Sequence, residues 1–174
     1  MNLKIRTSIS FVLLLFIVQG CGVYSLSGAS TKAKTIEIDQ FFNNTDLGPA
    51  NLGPTFTNRL RDYYQQNSQL KIVSENGELH VEGIIAEYRF SNVAPVSTGN
   101  PNEPNYAALS RLTIVVKVTY EDTTEPTNNF KDQSFSFYRD FDNSANFTAI
   151  QEDLEKRVID QILILIFNAT VANW

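Results

Sequence analysis

Between Leu109 and Glu121 apolar and polar side chains alternate: Leu112, Ile114, Val116, Val118 and Tyr120 fall on one side, while Arg111, Thr113, Lys117, Thr119 and Glu121 dominate the other. Successive residues of a strand point to opposite faces, so this stretch reads as a strand with one dry face and one wet face. A slip of one residue would turn its whole apolar set into water, which fixes the register. A sheet built on such a strand needs a covering layer on one side only.

The neighbouring segments fit around that strand. Thr35 to Asp39 alternates with Ile36 and Ile38 inward and Glu37 and Asp39 outward. Beyond Asn43-Asn44 and Gly48-Pro49, the residues Leu52, Phe56, Leu60, Tyr63 and Tyr64 recur at helical spacing. Pro54 stands near the start of this helix and Asn67-Ser68 at its end. Leu79 to Phe90 predicts a second strand with two phases, Leu79 and Val81 against Ile84, Ala86, Tyr88 and Phe90, which a bulge at Gly83 would reconcile. Residues 91–105, rich in Pro, Gly and Asn, predict an exposed loop at the tip of a long hairpin. After a turn over 122–129, Phe135, Phe137 and Phe141 share one face of a fourth strand, with Ser134, Ser136, Tyr138 and Asp140 opposite. Arg139 falls on the apolar side, as an edge residue, a residue turned out by a bulge, or a paired internal charge.

The last element is a helix. Thr148 and Gln151 have the spacing of a capping box, and Glu152 and Asp153 suit the first turn. Glu152 with Lys156 and Asp153 with Arg157 add pairs one turn apart. Ile150, Leu154, Val158, Ile162 and Leu165 predict the core stripe. The polar face then vanishes, because Ile162 to Phe167 is apolar without interruption. Such a run needs a second covering, either the chain's own tail 168–174 or a partner protein. The expected fold is therefore α+β, a two-layer sandwich with two helices packed on one face of a four-stranded sheet, in the order βαβββα.

The first twenty residues read differently. Lys4 and Arg6 precede an apolar run, Ile9 to Val18, that ends at Gln19-Gly20-Cys21. A run of about ten residues is half a membrane span, and this pattern is that of a secretory signal. A small residue directly before a cysteine, with Val18 three positions ahead of it, resembles the bacterial lipobox, whose cysteine is acylated before cleavage exposes it as residue one. Cys21 is the only cysteine, so no internal disulfide competes for it. The expected organisation is a signal over 1–20, a lipidated N-terminus and tether over 21–33, and one domain over 34–174. Removal of the signal leaves 12 of the 14 basic residues against 19 acidic, a formal charge of −7. Nucleic acid is a poor partner for such a surface.

Catalytic chemistry has little to stand on. His80, the sole histidine, has no second histidine or cysteine to share a metal with, and reads as a strand surface residue. There is no nucleophile elbow, Walker loop or dinucleotide fingerprint. No cofactor and no metal are expected. The competing reading is a lipid-anchored periplasmic enzyme or small-ligand carrier.

Several segments together resemble the LptE family of lipopolysaccharide-assembly lipoproteins in its Bacteroidota form: Cys21-Gly-Val-Tyr-Ser, Ser110 to Tyr120, Phe135-Ser-Phe-Tyr-Arg-Asp-Phe141, and the ending Ile166 to Trp174. The resemblance implies a non-enzymatic outer-membrane lipoprotein, carrying palmitate-type acyl chains on Cys21 and facing the periplasm. Such a protein plugs the lumen of the β-barrel LptD, helps it assemble, and takes part in delivering lipopolysaccharide to the outer leaflet. Leu163, Ile164, Phe167 and Trp174 are then candidates for the barrel interface. Arg89, Arg111, Lys117 and Arg139 are candidates for lipopolysaccharide contact, because its phosphates and acids favour basic partners. Asp122-Thr123-Thr124 also resembles the short O-glycosylation signal of Bacteroidota periplasmic proteins.

Overall fold

The computed structural model describes residues 31–93 and 109–172. The signal, Cys21, most of the tether, the loop tip and Trp174 lie outside the described residues. The elements run β1 (Thr35–Ile38), β2 (Phe42–Asn43), α1 (Leu52–Asn67), β3 (Lys71–Val73), β4 (Leu79–Val93), β5 (Leu109–Asp122), a short 3-10 turn (Pro126–Asn128), β6 (Phe130–Asp142) and α2 (Phe147–Thr170).

Among the described residues the sheet has six strands rather than the expected four, and the element order changes accordingly. Its main path is β3-β1-β4-β5-β6, with β2 pairing a later part of β4. The two additions are two and three residues long, too short to show a period in sequence. β4, β5 and β6 form an antiparallel meander, whereas β1 runs parallel to both β3 and β4. The helices share one side, where a continuous core joins Leu52, Phe56 and Leu60 of α1 and Val158 and Ile162 of α2 to Ile36, Leu79, Leu112, Ile114 and Val116 of the sheet. Two layers, α+β, are as the alternation predicts.

Within β4 the phase change is real but lies elsewhere. Ile85 pairs with Val116 and Glu87 with Val115, so Ala86 is the extra residue, three positions beyond Gly83. Ile84 accordingly belongs to the open face, opposite Phe42 and Lys117. Gly83 instead makes room for its neighbours, since a Cβ there would stand 2.3 Å from the Lys117 carbonyl oxygen and 2.5 Å from the ring of Phe41. Phe41 is fully buried although it belongs to no predicted element. Its N–H donates to Thr57 Oγ1 at 2.9 Å, its ring meets that of Phe56 at 5.0 Å, and Thr57 in turn donates to the Gly53 carbonyl. One aromatic side chain thus ties the β1–β2 link to α1 and β4.

Arg139 sits on β6, the edge strand, opposite Leu112, and is exposed there, which answers its placement on the apolar face. α2 begins two residues earlier than the capping box predicts, with Asn146 rather than Thr148 at its N-cap and no side-chain cap. Gln151 donates to Glu155 Oε1 at 2.8 Å instead of closing a capping box. Arg157 pairs with Asp153 at 2.7 Å, while Lys156 approaches Asp160 at 3.9 Å rather than Glu152. Leu165 is 41% exposed and so leaves the expected stripe; Ile166 and Phe167 take the inward positions.

The second covering for the apolar run is α1 of the same chain. Tyr63 and Tyr64 meet the Phe167 ring edge-on at 5.3 and 5.2 Å, and the buried Tyr64 hydroxyl lies 2.6 Å from Thr170 Oγ1. Burial raises the Tyr64 hydroxyl's pKa well above its ordinary value, so it stays protonated. Arg59 of α1 and Asp160 of α2 add an ion pair between the helices.

Asp122 closes the end of β5. Its carboxylate accepts the N–H groups of Thr124 and Glu125 at 2.8 and 2.9 Å and the Thr124 hydroxyl at 2.7 Å. Burial by itself raises its pKa, but these hydrogen bonds outweigh it and hold the carboxyl below the usual carboxylate range. The Asp122-Thr123-Thr124 triplet thus has a structural role as a turn, with the Thr123 hydroxyl donating to the Glu78 carbonyl at 2.8 Å.

Two outcomes follow from this packing. Gly83→Ala is expected to lower unfolding stability by about 1–3 kcal/mol, because the neighbours are backbone and a packed ring; an unchanged urea midpoint would contradict the close approach. A depressed folded-state pKa means that Asp122 contributes stability above its unfolded value near 3.9 and loses it as pH falls through the folded value. Asp122→Asn is therefore expected to flatten the fall in stability between about pH 5 and pH 2. Asp140, Asp142 and Asp153, also held low, leave a residual slope. An identical pH profile for both proteins is the result against it.

Candidate interaction surface

The sheet face away from the helices has no layer over it among the described residues. Its rows follow from the register: Thr35, Glu37 and Asp39 beside His80, Glu82 and Ile84, then Arg111, Thr113, Lys117 and Thr119, and on β6 Ser134, Ser136, Tyr138 and Asp140. Most of these are polar, as the alternation of β5 predicts. The exceptions are Val115 on β5, half-buried between Glu87 and Ser136, and an adjoining pair in which Phe42, 65% exposed, lies opposite Ile84 across β2 and β4.

Arg89, Arg111 and Lys117 share this open face; Arg139 points to the other side, at the sheet edge, where its charge acts on Asp153 of α2. The three are not equally available. Arg111 grips Asp140 with two bonds, Nε to Oδ1 at 2.6 Å and Nη2 to Oδ2 at 2.9 Å, and its guanidinium lies 3.7 Å over the Tyr138 ring. That contact holds the Asp140 carboxyl below its ordinary range and raises the Arg111 pKa further. Arg89 is hydrogen-bonded to Glu87. Lys117 is exposed and has no carboxylate within ion-pair distance among the described residues.

The apolar candidates divide as well. Leu163 and Phe167 are 1% and 5% exposed, occupied by the chain's own core, so neither presents a surface to a partner in this fold. Helical rotation leaves Ile164 half-buried and Leu165 exposed on the outer side of α2. At the far end of the β4–β5 hairpin a second aromatic group gathers, with Phe90 meeting Phe147 at 4.8 Å and Phe141 at 6.3 Å.

One constellation is missing from the sequence reading. The parallel pairing of β1 with β4 sets His80 opposite Glu37, and His80 Nε2 lies 3.2 Å from Asp39 Oδ2. One ligand-bearing atom from each of the three residues falls within 4.8 Å of the others. The sequence contains the residues, but only the pairing of strands about forty positions apart brings them together. No helix of the described residues is long and apolar enough to cross a membrane, which leaves strand-built spans untouched.

No curated protein matches the chain by sequence. Among solved structures, the minor lipoprotein of Acinetobacter baumannii is similar at a TM-score of 0.51 and 16% identity, covering 81% of this chain and 92% of that one. The hypothetical protein CT253 of Chlamydia trachomatis is similar at 0.50 and 11% identity, covering 81% and 99%. At those identities the likeness extends to the fold alone. The sequence itself is matched by the LptE family, described as lipopolysaccharide-assembly, over residues 33–170, a span that takes in both helices and all six strands of the described residues. The chain belongs to the LptE lipopolysaccharide-assembly family.

Proposed function

We propose that this chain is a non-enzymatic outer-membrane lipoprotein that occupies the lumen of an LptD-type β-barrel, assists its assembly and takes part in lipopolysaccharide insertion into the outer leaflet. The observation that carries the reading is the open face of the sheet, polar across β1, β4, β5 and β6 while the other face is closed by two helices. The lumen of a membrane barrel is wet and polar, so a folded plug meets it best with such a face. A plug need not expose a large apolar patch, and burial of Leu163 and Phe167 inside the domain is compatible with that role.

The lipid on Cys21 holds the domain at the periplasmic leaflet. Several acyl chains on one residue give stable anchoring, and confinement beside the barrel raises the effective concentration of the plug without any new contact. Ile164 and Leu165 on α2 and Trp174 at the chain's end supply apolar contacts to the barrel wall. On the open face Lys117 is the foremost basic contact for lipopolysaccharide, followed by Arg111 and Arg89, whose charges are already shared with Asp140 and Glu87. Arg139 serves a ligand only from the sheet edge.

Gentle solubilisation and capture through a C-terminal tag is expected to recover a barrel of several hundred residues at one-to-one stoichiometry. Recovery of a monomer, with lipopolysaccharide export intact after depletion, would sink the assembly reading in favour of a lipid-anchored enzyme or carrier. Leu165→Asp or Ile164→Asp is expected to weaken recovery of the barrel by about tenfold while the circular dichroism of the domain is retained. Unchanged recovery from a folded double variant removes that side of α2 from the interface.

A further inference from the structure

We propose that Glu37, Asp39 and His80 form a site for a borderline divalent cation of the zinc type on the open face of the sheet. β1 and the residue after it contribute two carboxylates two positions apart, which the strand period puts on the same face. β4 contributes the imidazole, set opposite Glu37 by the parallel register. The contact between His80 Nε2 and Asp39 Oδ2, 3.2 Å, is just short of the spacing of two ligands on one ion, since Zn–N and Zn–O bonds of about 2.0–2.2 Å separate tetrahedral neighbours by roughly 3.3–3.6 Å. The spread of 4.8 Å across all three closes with a modest rotation of the Glu37 or Asp39 side chain.

Two further features favour an ion over a bare ion pair. Gly77 N–H donates to Glu37 Oε2 at 3.2 Å, which restrains that carboxylate and leaves its other oxygen available. Glu121 pairs with His80 from the opposite strand, so the imidazole stands in a row between two glutamates and next to Asp39. Three acids around one histidine concentrate negative charge on this patch, which a doubly charged cation offsets. A nitrogen ligand and only three convergent groups suit zinc better than calcium, which takes six to eight oxygens. Three protein ligands leave a fourth position open toward solvent.

The test uses the full chain in detergent, purified without a histidine tag so that His80 is its only imidazole. Titration calorimetry with Zn²⁺ is expected to show one site per chain. His80→Ala and the double variant Glu37→Gln with Asp39→Asn should each weaken it about tenfold or more, while Glu75→Gln leaves it unchanged. Co²⁺ in place of Zn²⁺ should give the visible absorption of a low-coordinate ion, lost in His80→Ala. Absence of a titratable site up to millimolar Zn²⁺ overturns the proposal. So does binding that survives both variants, or that Ca²⁺ competes for equally, since a diffuse acidic surface would do the same. Circular dichroism of each variant separates a lost ligand from a lost fold, and the double variant keeps the test open if His80→Ala does not fold.

Discussion

Fourteen paired positions join β4 to β5, and the rest of the domain is arranged around that antiparallel ladder. β1 and β2 attach to one edge of β4, β6 attaches to β5, and the core face of the ladder offers Leu79, Val81, Ile85 and Tyr88 beside Leu112, Ile114, Val116, Val118 and Tyr120. Because the register admits no slip without exposing this whole set, it also decides which side chains stand on the open face. The bulge at Ala86 keeps Tyr88 inward after Ile85 has already turned inward, so the ladder retains one dry face along most of its length.

The helices close that face unequally. α2 lies over β5 and β6, and α1 covers the end formed by β2 and β3. They meet where Tyr63 and Tyr64 cover Phe167. This contact accounts for a helix end that is apolar on nearly every side: one side faces the sheet, one faces α1, and only the line through Ile164 and Leu165 remains. Tyr64 fills space there with its ring and matches its hydroxyl to Thr170, which leaves neither polar group alone in the core.

Long periodic segments were legible in the sequence because their burial is repeated over many residues. The alternation of β5 and the stripe of α1 follow from such repetition, whereas Arg139 breaks it, and only the place of β6 at the sheet edge decides among its three readings. β2 and β3 escaped because two or three residues carry no period, and their membership depends on β1 and β4 being alongside. The glycine at position 83 signalled something special in the strand but not which thing: a bulge and a close ring approach leave the same mark in sequence. Phe41 lacked any local signal, since its burial is created by Thr57, Phe56 and Gly83 together. Of the interaction surface, the polar face was legible and the division among its arginines was not: Asp140 meets Arg111 only through the β5–β6 register, and although Glu87 and Arg89 share a face two positions apart, a shared face alone does not say that they bond. The cluster at His80 is likewise a product of pairing between distant strands.

A domain closed on one side by its own helices and open on the other through a polar sheet is suited to fit inside a polar container. That is the central claim, and photo-crosslinking in intact cells tests it most directly. A photoreactive residue placed at Thr113 or Ser136, both on the open face, is predicted to give one dominant adduct with an outer-membrane barrel of several hundred residues. Adducts only with copies of this chain, or none from either position while the protein is folded and exported, would contradict it.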